Sequence, residues 1–445
     1  MTEATKDFYL ANFAPFEREV THNGQGWTQQ LRQAAISRFA ELGFPTTRDE
    51  EWKYTNVAPF TRVAFQRGRR AAPGDASEAL AAAAVPELGG VRLVFINGHY
   101  VPELSDRRAL PHGPEVASLA AALSSRPHWL EAHLARCADF EDQAFVALNT
   151  AFMQDGACVY LPRGTVLDVP IHVVFLSLPQ GAQTVSHPRN LLVLEDGAQA
   201  TVVESYVGLG SDAYFTNAVT ELVLGQNAVA EHCKLEREAS GAFHIASLHV
   251  QQARSSTFVS HAFAVGGALA RQDINVVLQG EGGDATLNGL YMATGRQHID
   301  NHTRIDHVVP HCISREFYKG VLDGQARGVF NGKIVVHKDA QQTDAKQTNK
   351  NLLLSTDASI DTKPQLEILN NDVKCAHGST IGRLDANSLF YLRSRGLDEE
   401  AARGLLTYAF ASELVQRVAL EPLRTHLNDS VLHWLPQSQR VEEAR

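Results

Sequence analysis

A long segment of this chain, from about Asn149 to Gly382, alternates short β-rich pieces with turn signals. The pieces are rich in Val, Ile, Thr and aromatic residues, which favour strands, and helical periodicity is almost absent. The early turn signals recur about thirty residues apart, at Asp196-Gly197, Gln226-Asn227, Ser255-Ser256 and Gly282-Gly283. Units that recur at a nearly constant spacing are typical of repetitive β architectures.

Two architectures fit this pattern. One is a sandwich or barrel built from hairpins, and the other is a parallel β-helix in which each turn stacks on the last. The polar stretch "QQTDAKQTNKNLLLSTDASIDT" favours the β-helix. Ser, Thr, Asn and Gln can stack at successive corners of a β-helix, where they satisfy backbone groups. We therefore expect a mainly β fold with a parallel β-helix at its centre.

Helical patterns flank the β-rich segment. Near the N-terminus, Trp27, Leu31, Ala35 and Phe39 recur at helical spacing, and "VRLVFINGHYV" predicts a hairpin that turns at Asn-Gly. After the β-rich segment, Asp385 and Asp398 occupy positions that predict helix N-caps. These patterns predict three parts, which are an N-terminal helical region with a short hairpin, a β core and a C-terminal helical domain: 1–148, 149–383 and 384–445.

The second C-terminal helix carries a broad apolar stripe. Leu405, Leu406, Phe410 and Leu414 lie along it, with alanines between them. Three short helices cannot bury such a stripe entirely among themselves. The stripe therefore either docks on the β core or offers a face to a partner, and the pattern alone leaves both alternatives open.

Composition and charge exclude several classes of function. A formal net charge of −10 argues against nucleic-acid binding by the chain as a whole. No apolar run is long enough for a membrane-spanning helix, and "MTEATKDFYL" has no apolar signal region. The five cysteines are scattered and include no CxxC pair. We therefore expect a cytoplasmic protein with reduced thiols that contacts neither nucleic acid nor membrane.

Signatures of nucleotide binding and hydrolysis are missing. In "GVFNGKIVV" only three residues separate the glycines and no Ser or Thr follows the lysine, so the phosphate loop cannot form. The "NGK" within it is interpreted as a tight turn. No GxGxxG follows a strand, and neither HExxH nor GxSxG occurs. The chain is therefore predicted to have no nucleotide site and no catalytic residues of its own.

The segment "RQHIDNHTRIDHVVPHC" places His298, Asp300, His302, Arg304 and Asp306 on one face if it forms a strand. That face is too polar for a core, so it is expected to face solvent or a partner. His298 and His302, together with the carboxylates, are candidates to bind zinc or iron. The alternative is a salt-bridged sheet surface.

In "VKCAHG", Cys375 and His377 point the same way in a strand, about 7 Å apart at Cα. A thiolate and an imidazole at that distance can converge on one soft metal. Two ligands are too few for an iron or zinc site, which usually needs four. The remaining ligands must come from elsewhere or from another chain, or else the pair is a buried thiol beside a hydrogen-bonded histidine.

Long motifs of the chain resemble the SufB/SufD family of the SUF iron–sulfur cluster assembly system. The resemblance covers nearly the whole chain and is weakest from about Gln66 to Gly90. The N-terminal "TRDEEWKYT" and the chain length favour the SufD members of the family over SufB. The motifs that carry the resemblance are "PTTRDEEWKYTNV", "ALNTAFMQDGACVYLPRG", "DHVVPHCISREFYKGVLDGQARGVF", "VFNGKIVVHKDAQQTDAKQTNKNLLLS", "KPQLEILNNDVKCAHGSTIGRLD" and "LFYLRSRG".

The resemblance implies a right-handed parallel β-helix flanked by helical regions and a non-catalytic scaffold role. It implies pairing with SufB through the β-helix, and a homodimer when the chain is alone. It also implies that the C-terminal helices dock the SufC ATPase, with Leu405, Leu406, Phe410 and Leu414 as contacts. A transient iron–sulfur cluster or iron would lie at the interface with SufB, where Cys375 and His377 match the family's positions.

Two further classes of function remain as alternatives. β-Helix proteins often modify polysaccharides, and the face from His298 to Asp306 is the one candidate cluster for such an enzyme. A third class is a homodimeric interaction module with no role in cluster assembly. Activity of the chain alone on acidic polysaccharides, or co-purification with an ATPase subunit, would distinguish these classes.

Overall fold

The computed structural model of the chain describes residues 2–20 and 26–435. Its helices are α1 (Thr2–Val20), α2 (Gly26–Leu42), α3 (Ala58–Thr61), α4 (Ser77–Ala83), α5 (Leu119–Ser125), α6 (Pro127–His133), α7 (Ala144–Phe152), α8 (Ala386–Ser394), α9 (Glu399–Val415) and α10 (Glu421–Trp434). Its strands are β1 (Gln66–Arg67), β2 (Val91–Ile96), β3 (His99–Tyr100), β4 (Glu115–Ser118), β5 (Ala157–Leu161), β6 (Ile171–Ser177), β7 (Thr184–Ser186), β8 (Arg189–Leu194), β9 (Gln199–Gly208), β10 (Tyr214–Leu224), β11 (Val229–Glu238), β12 (Phe243–Gln252), β13 (Thr257–Gly266), β14 (Leu269–Leu278), β15 (Asp284–Ala293), β16 (His298–His307), β17 (Ile313–Leu322), β18 (Arg327–Val336), β19 (Thr343–Leu353), β20 (Ser359–Ile368) and β21 (Val373–Gly382).

The strands form a parallel β-solenoid of about eight turns. From β8 to β21, even-numbered strands pair in parallel in one sheet and odd-numbered strands pair in parallel in the other. We call these the even sheet and the odd sheet. Each turn of the chain thus contributes one strand to each sheet. The expected mainly β fold, a parallel β-helix with helices at both ends of the chain, is confirmed.

Stacked corner turns explain the recurring turn signals. Asn227 and Ser255 adopt left-handed backbone conformations at one corner, with φ of 59° and 53°, and Gly197 and Gly282 do so at the equivalent corners. The corners also bond to one another, since the Asn227 N–H donates to the carbonyl of Arg254, one turn further on, at 2.9 Å. The spacing in the sequence is therefore the length of one turn of the solenoid.

Helices cover the outer faces of both sheets. Phe60 and Phe145 pack against Phe215 on the even sheet, and the Phe60 and Phe215 ring centroids lie 4.9 Å apart. On the odd sheet, α9 and α10 pack through Leu414 and Leu427. Burial of each such side chain contributes about 1.5–3 kcal/mol, so each sheet is stabilised on its outside as well as its inside.

The local predictions at the helix ends and the hairpin are confirmed. The Asp385 side chain accepts a hydrogen bond from the Ser388 N–H, and Asp398 accepts one from the Ala401 N–H. β2 and β3 form the antiparallel hairpin around Asn97-Gly98, where both residues have positive φ. β2 also pairs with β6, so the solenoid sheet extends into the N-terminal region.

The interpretation of "NGK" as a turn is wrong. Asn331, Gly332 and Lys333 lie in the middle of β18, paired with Thr303 on one side and Pro364 on the other at the glycine. Glycine is required at this position by lack of space, because a Cβ at Gly332 would lie 2.2 Å from Gln347 Nε2.

None of the helices in the described ranges has the length and apolar character needed to cross a membrane.

Candidate site at the open end of the solenoid

The last turn of the solenoid has a neighbour on one side only. β20 pairs with β18 and β21 pairs with β19, and no described strand covers the other edge of either one. Their residues are exposed or half-buried, and Ile368, Leu369 and Ile381 are 40%, 65% and 50% exposed. We call β20 and β21 together the open end. An uncovered parallel edge with apolar side chains is a ready template for pairing with another chain.

Cys375 and His377 lie on β21, where they pair in register with Ala345 and Gln347 of β19. Their side chains are on the face of β21 that points into the interior of the solenoid. Ser379, two residues further on, shows this direction, because its hydroxyl lies 2.9 Å from the Thr362 hydroxyl of the opposite sheet. The structure therefore places both predicted residues over the mouth of the solenoid interior.

Cys375 is half-buried in a small apolar cluster that includes Val336 and Ala345. Burial raises the pKa of its thiol, and the charge of Asp344 acts in the same direction. The side chain is therefore a neutral thiol at neutral pH, and it becomes a ligand only if a metal or a nearby positive charge displaces its proton.

His377 is exposed at the open end, with Gln347 beneath it in the preceding turn. Within residues 2–20 and 26–435, no group of three or more His, Cys, Asp or Glu side chains is arranged as a metal site. Cys375 and His377 are thus two potential donors at an edge, on a surface that a second chain can reach.

Two of the four predicted docking residues line a shallow groove between α8 and α9. Leu405 and Leu406 are half-buried there, beside Tyr391 and Leu392, and the groove has a volume of about 540 Å³. Phe390 and Tyr391 on α8 are 75% and 60% exposed. This groove, which the exposed Tyr391 ring lines, is an apolar surface on the outside of the molecule.

The other two predicted docking residues face the β core. Leu414 is fully buried against the odd sheet. Phe410 is half-buried, and the ammonium group of Lys319 lies 4.3 Å from its ring centroid and donates to its carbonyl at 2.6 Å. Leu414 therefore holds α9 on the solenoid, while Leu405 and Leu406 remain accessible.

The part of the β16 polar face around Asp300 is covered by the chain's own N-terminal region, contrary to the expectation that it faces solvent or a partner, whereas the Arg304 side chain further along the same face is 49% exposed. Thr55 donates to Asp300 at 2.5 Å, and the His298 ring lies 2.9 Å from the Thr55 hydroxyl. His302 Nε2 lies 3.0 Å from Asp300 Oδ1, and its Nδ1 lies 3.5 Å from Glu51. The structure thus engages His298 and His302 in a buried polar network.

Sequence reasoning missed two groups of residues. The exposed ring of Tyr391 adjoins the predicted docking stripe, Phe390 is exposed next to it in the sequence, and their adjacency in a short helix of mixed polarity was the available signal. Gln347 and Glu316 lie beneath His377 inside the solenoid, and the sequence held no signal for them, because they meet only through strand register.

Comparison with known proteins agrees with the fold and with the motifs. Residues 177–410 match the family model for the SUF system FeS cluster assembly SufBD core domain, and residues 3–173 match that for the SufBD protein N-terminal region. Together the two models cover most of the chain.

Full-length relatives share the same description. The chain is 34% identical to the iron–sulfur cluster assembly protein SufD of Escherichia coli over 96% of each chain. It is 36% identical to an iron–sulfur cluster assembly SufBD family protein of Synechocystis over 90% of this chain and 89% of the relative. SufD of Bacillus subtilis is 24% identical over 94% of this chain and 95% of its own. The chain therefore belongs to the SufBD family of iron–sulfur cluster assembly proteins, and within that family it is SufD-like.

Proposed function

We propose that this protein is a non-catalytic scaffold subunit of a SufBCD-type complex. It pairs with a SufB-type subunit through the open end and docks a SufC-type ATPase through the groove between α8 and α9. The nascent iron–sulfur cluster is the cargo of this complex and is assembled where the two solenoids meet. The observation that carries the proposal is that Cys375 and His377 lie on an uncovered strand edge.

Pairing through the open end is supported by its chemistry. β20 and β21 present unpaired backbone groups along two parallel edges, with Ile368, Leu369 and Ile381 exposed beside them. A partner strand would satisfy the backbone groups and bury these side chains. The same partner would bring the further ligands that two donors need to hold iron. A SufB-type subunit, as a relative with the same architecture, fits both requirements.

Docking of an ATPase on α8 and α9 is supported by the exposed apolar groove. Aromatic residues that are exposed beside half-buried leucines are typical centres of protein interfaces. Leu414 anchors α9 to the solenoid behind this groove, so a force applied to the groove reaches the β core. The sequence of this subunit has no phosphate-binding loop, so in such a complex ATP would be bound and hydrolysed by the ATPase partner.

The connection between the two surfaces is short. β21 ends at Gly382 and α8 begins at Ala386, so three residues join the strand of His377 to the docking helix. Movement of the docked ATPase would therefore pull directly on the edge strand at the open end. We propose that ATP binding and hydrolysis in the partner change the open-end interface in this way and control access of iron and sulfide to His377.

The described cysteines are all free thiols. This agrees with a scaffold that works in a reducing compartment, the cytoplasm. Free thiols are also what an assembly site for iron and sulfide requires, since a disulfide cannot ligate iron.

The test is co-expression with the SufB-type and SufC-type subunits of the same organism, followed by measurement of complex mass, iron and acid-labile sulfide. We expect His377→Ala to form a complex of wild-type mass that holds little cluster. We expect Leu406→Asp to lose the ATPase subunit, because a charge would have to be buried in the groove.

Matched controls are His112→Ala and Val166→Asp. His112 is an exposed histidine in a loop, and Val166 is 53% exposed in the connection between β5 and β6 and does not line the groove. Both controls should behave as the wild type. A normal cluster yield from His377→Ala would refute the role of the open end, and full retention of the ATPase by Leu406→Asp would refute the docking surface.

A further inference from the structure

A chain of hydrogen bonds runs across the solenoid interior beneath His377. Strand register stacks Glu316 of β17, Gln347 of β19 and His377 of β21 in one column along the odd sheet. Neighbouring strands lie about 4.8 Å apart, so each side chain in the column is within reach of the next. Glu316 and Gln347 are almost fully buried, whereas His377 at the top of the column is exposed.

Both oxygens of Glu316 are engaged. Gln347 Nε2 donates to Glu316 Oε2 at 2.7 Å. Thr303, on the opposite sheet, donates to Glu316 Oε1 across the interior. The carboxylate is an acceptor, so it accepts the amino side of the Gln347 amide and turns the carbonyl side away.

The carbonyl oxygen of Gln347, Oε1, is buried and has no hydrogen-bond partner in the described structure. A buried acceptor without a donor destabilises the folded state by about 1–3 kcal/mol, so a hydrogen bond to this oxygen would be stabilising. The next residue in the column is His377, whose ring carries an N–H donor in either neutral tautomer.

We propose that Gln347 is a positioning residue that accepts a hydrogen bond from one ring nitrogen of His377 and so fixes the tautomer and ring orientation of that histidine. Glu316 and Thr303 in turn fix the Gln347 amide. The other ring nitrogen then presents its lone pair at the open end. This inference rests on the proposed function, in which His377 is a ligand of the nascent cluster.

Gly332 supports the assignment. A Cβ at this position would lie 2.2 Å from Gln347 Nε2 and 2.8 Å from its Cδ. Any other residue there would therefore push the amide out of its place between Glu316 and His377. The glycine in the middle of β18 thus makes room for the Gln347 amide, and also for the ring of Phe330, whose Cζ would lie 2.8 Å from such a Cβ.

Histidine ligands of metals almost always donate their second N–H to a partner that holds the ring. The Gln347 column is such a partner, built inside the solenoid before any metal arrives. A neutral amide suits this place, because it orients the ring without placing a charge directly below the site. Because the His377 ring is already oriented, it loses less conformational entropy when it binds iron.

The test is the tautomer of His377 in the isolated full-length chain, read from two-bond ¹H–¹⁵N spectra of protein labelled with ¹⁵N-histidine. His377→Gln identifies the signal. We expect one dominant tautomer in the wild type and a change of about fivefold in the tautomer ratio in Gln347→Leu, the effect of one ordinary hydrogen bond.

Two further variants make the result specific. Glu316→Gln can still accept from Gln347 and donate to Thr303, so it should keep the wild-type tautomer. Thr362→Val removes a neighbouring interior hydroxyl that bonds Asn349 and Ser379 but not Gln347, so it should also leave the tautomer unchanged. If Gln347→Leu does not fold, Gln347→Met fills the same space with a more flexible apolar chain.

An unchanged His377 tautomer in the folded Gln347 variant would overturn the proposal, as would an equal change in Thr362→Val. The measurement needs no cluster and no partner. It is therefore separate from the cluster yield of His377→Ala, which tests the proposed function itself.

Discussion

At the scale of single residues, several charged side chains of this protein are buried in polar networks. Asp300 is the centre of one network, where Arg271 donates to it at 3.0 Å and also to the carbonyl of Glu51 at 2.7 Å. The Arg271 guanidinium group lies 3.7 Å from the ring centroid of Trp52. These contacts fasten the N-terminal segment to the outside of the solenoid, which gives the acidic and aromatic residues of "RDEEWKYT" a structural role.

We expect this fastening to weaken as the pH rises. Burial and the charge of Arg271 lower the pKa of His302, but the charge of Asp300 and the contacts with Asp300 and Glu51 outweigh them and raise it. A raised pKa means that the protonated ring stabilises the folded state fully below pH about 6.5, the usual value. That stabilisation is lost as the pH rises through the pKa in the folded state. Asp300, whose pKa is lowered, stays ionised throughout this range.

Hydrogen exchange of the 48–55 segment measures the effect. After correction for intrinsic rates, the wild type should exchange faster at pH 8 than at pH 6, and His302→Gln should lose this difference. His112→Gln, at an exposed position, is the matched control. A pH dependence that persists in His302→Gln would show that another group is responsible.

At the scale of elements, the decisive arrangement is a strand followed at once by a helix. β21 carries Cys375 and His377, and α8 carries Phe390 and Tyr391. The Asp385 cap fixes where α8 begins, so the three-residue connection between β21 and α8 can change its length very little. A partner bound to the helix and a partner bound to the strand would therefore be mechanically coupled.

Lengthening this connection should separate binding from assembly. Insertion of Gly-Ser-Gly-Ser after Arg383 leaves both surfaces intact, so the complex should still form, but its ATP-dependent cluster yield should fall severalfold. The same insertion after Gly210, in the exposed turn between β9 and β10, should have no effect. Cluster yield and complex mass are measured together, and a wild-type yield from the Arg383 insertion would contradict coupling through the connection.

At the scale of the whole molecule, the solenoid is a stack in which each turn contacts mainly its neighbours. Stability in such a stack is a sum over turns and over the contacts between them. Inner turns have a neighbour on both sides, whereas the turn of β20 and β21 has one. The open end is therefore the least protected part of the solenoid in the isolated chain.

Hydrogen exchange along the solenoid should show this gradient. We expect the slowest exchange in β10 to β17 and the fastest in β20 and β21, because an end turn can open without disrupting the others. Addition of the SufB-type subunit should slow exchange in β20 and β21 and leave β12 to β15 unchanged. Equal protection of all turns in the isolated chain, or no protection by the subunit, would contradict this view of the open end.

The amino-acid sequence by itself determined the features that depend on near neighbours. The turn residues around Asn227, the hairpin at Asn97-Gly98 and the caps Asp385 and Asp398 were all predictable, since each conformation follows from local propensity and short-range hydrogen bonds. The resemblance to the family also rested on contiguous motifs. These features were enough for the fold class and for the position of Cys375 and His377 on one strand.

Only the tertiary structure decided which distant residues meet. Glu316 contacts Gln347 because β17 and β19 pair in register, and it contacts Thr303 because β16 lies across the interior in the opposite sheet. Asp300 and His302 of β16 are buried because a segment some 250 residues earlier in the chain packs on them, and Leu414 is buried while Leu406 is not. Such pairings depend on the closed packing of the whole chain, in which each contact is made possible by all the others, so no local pattern encodes them.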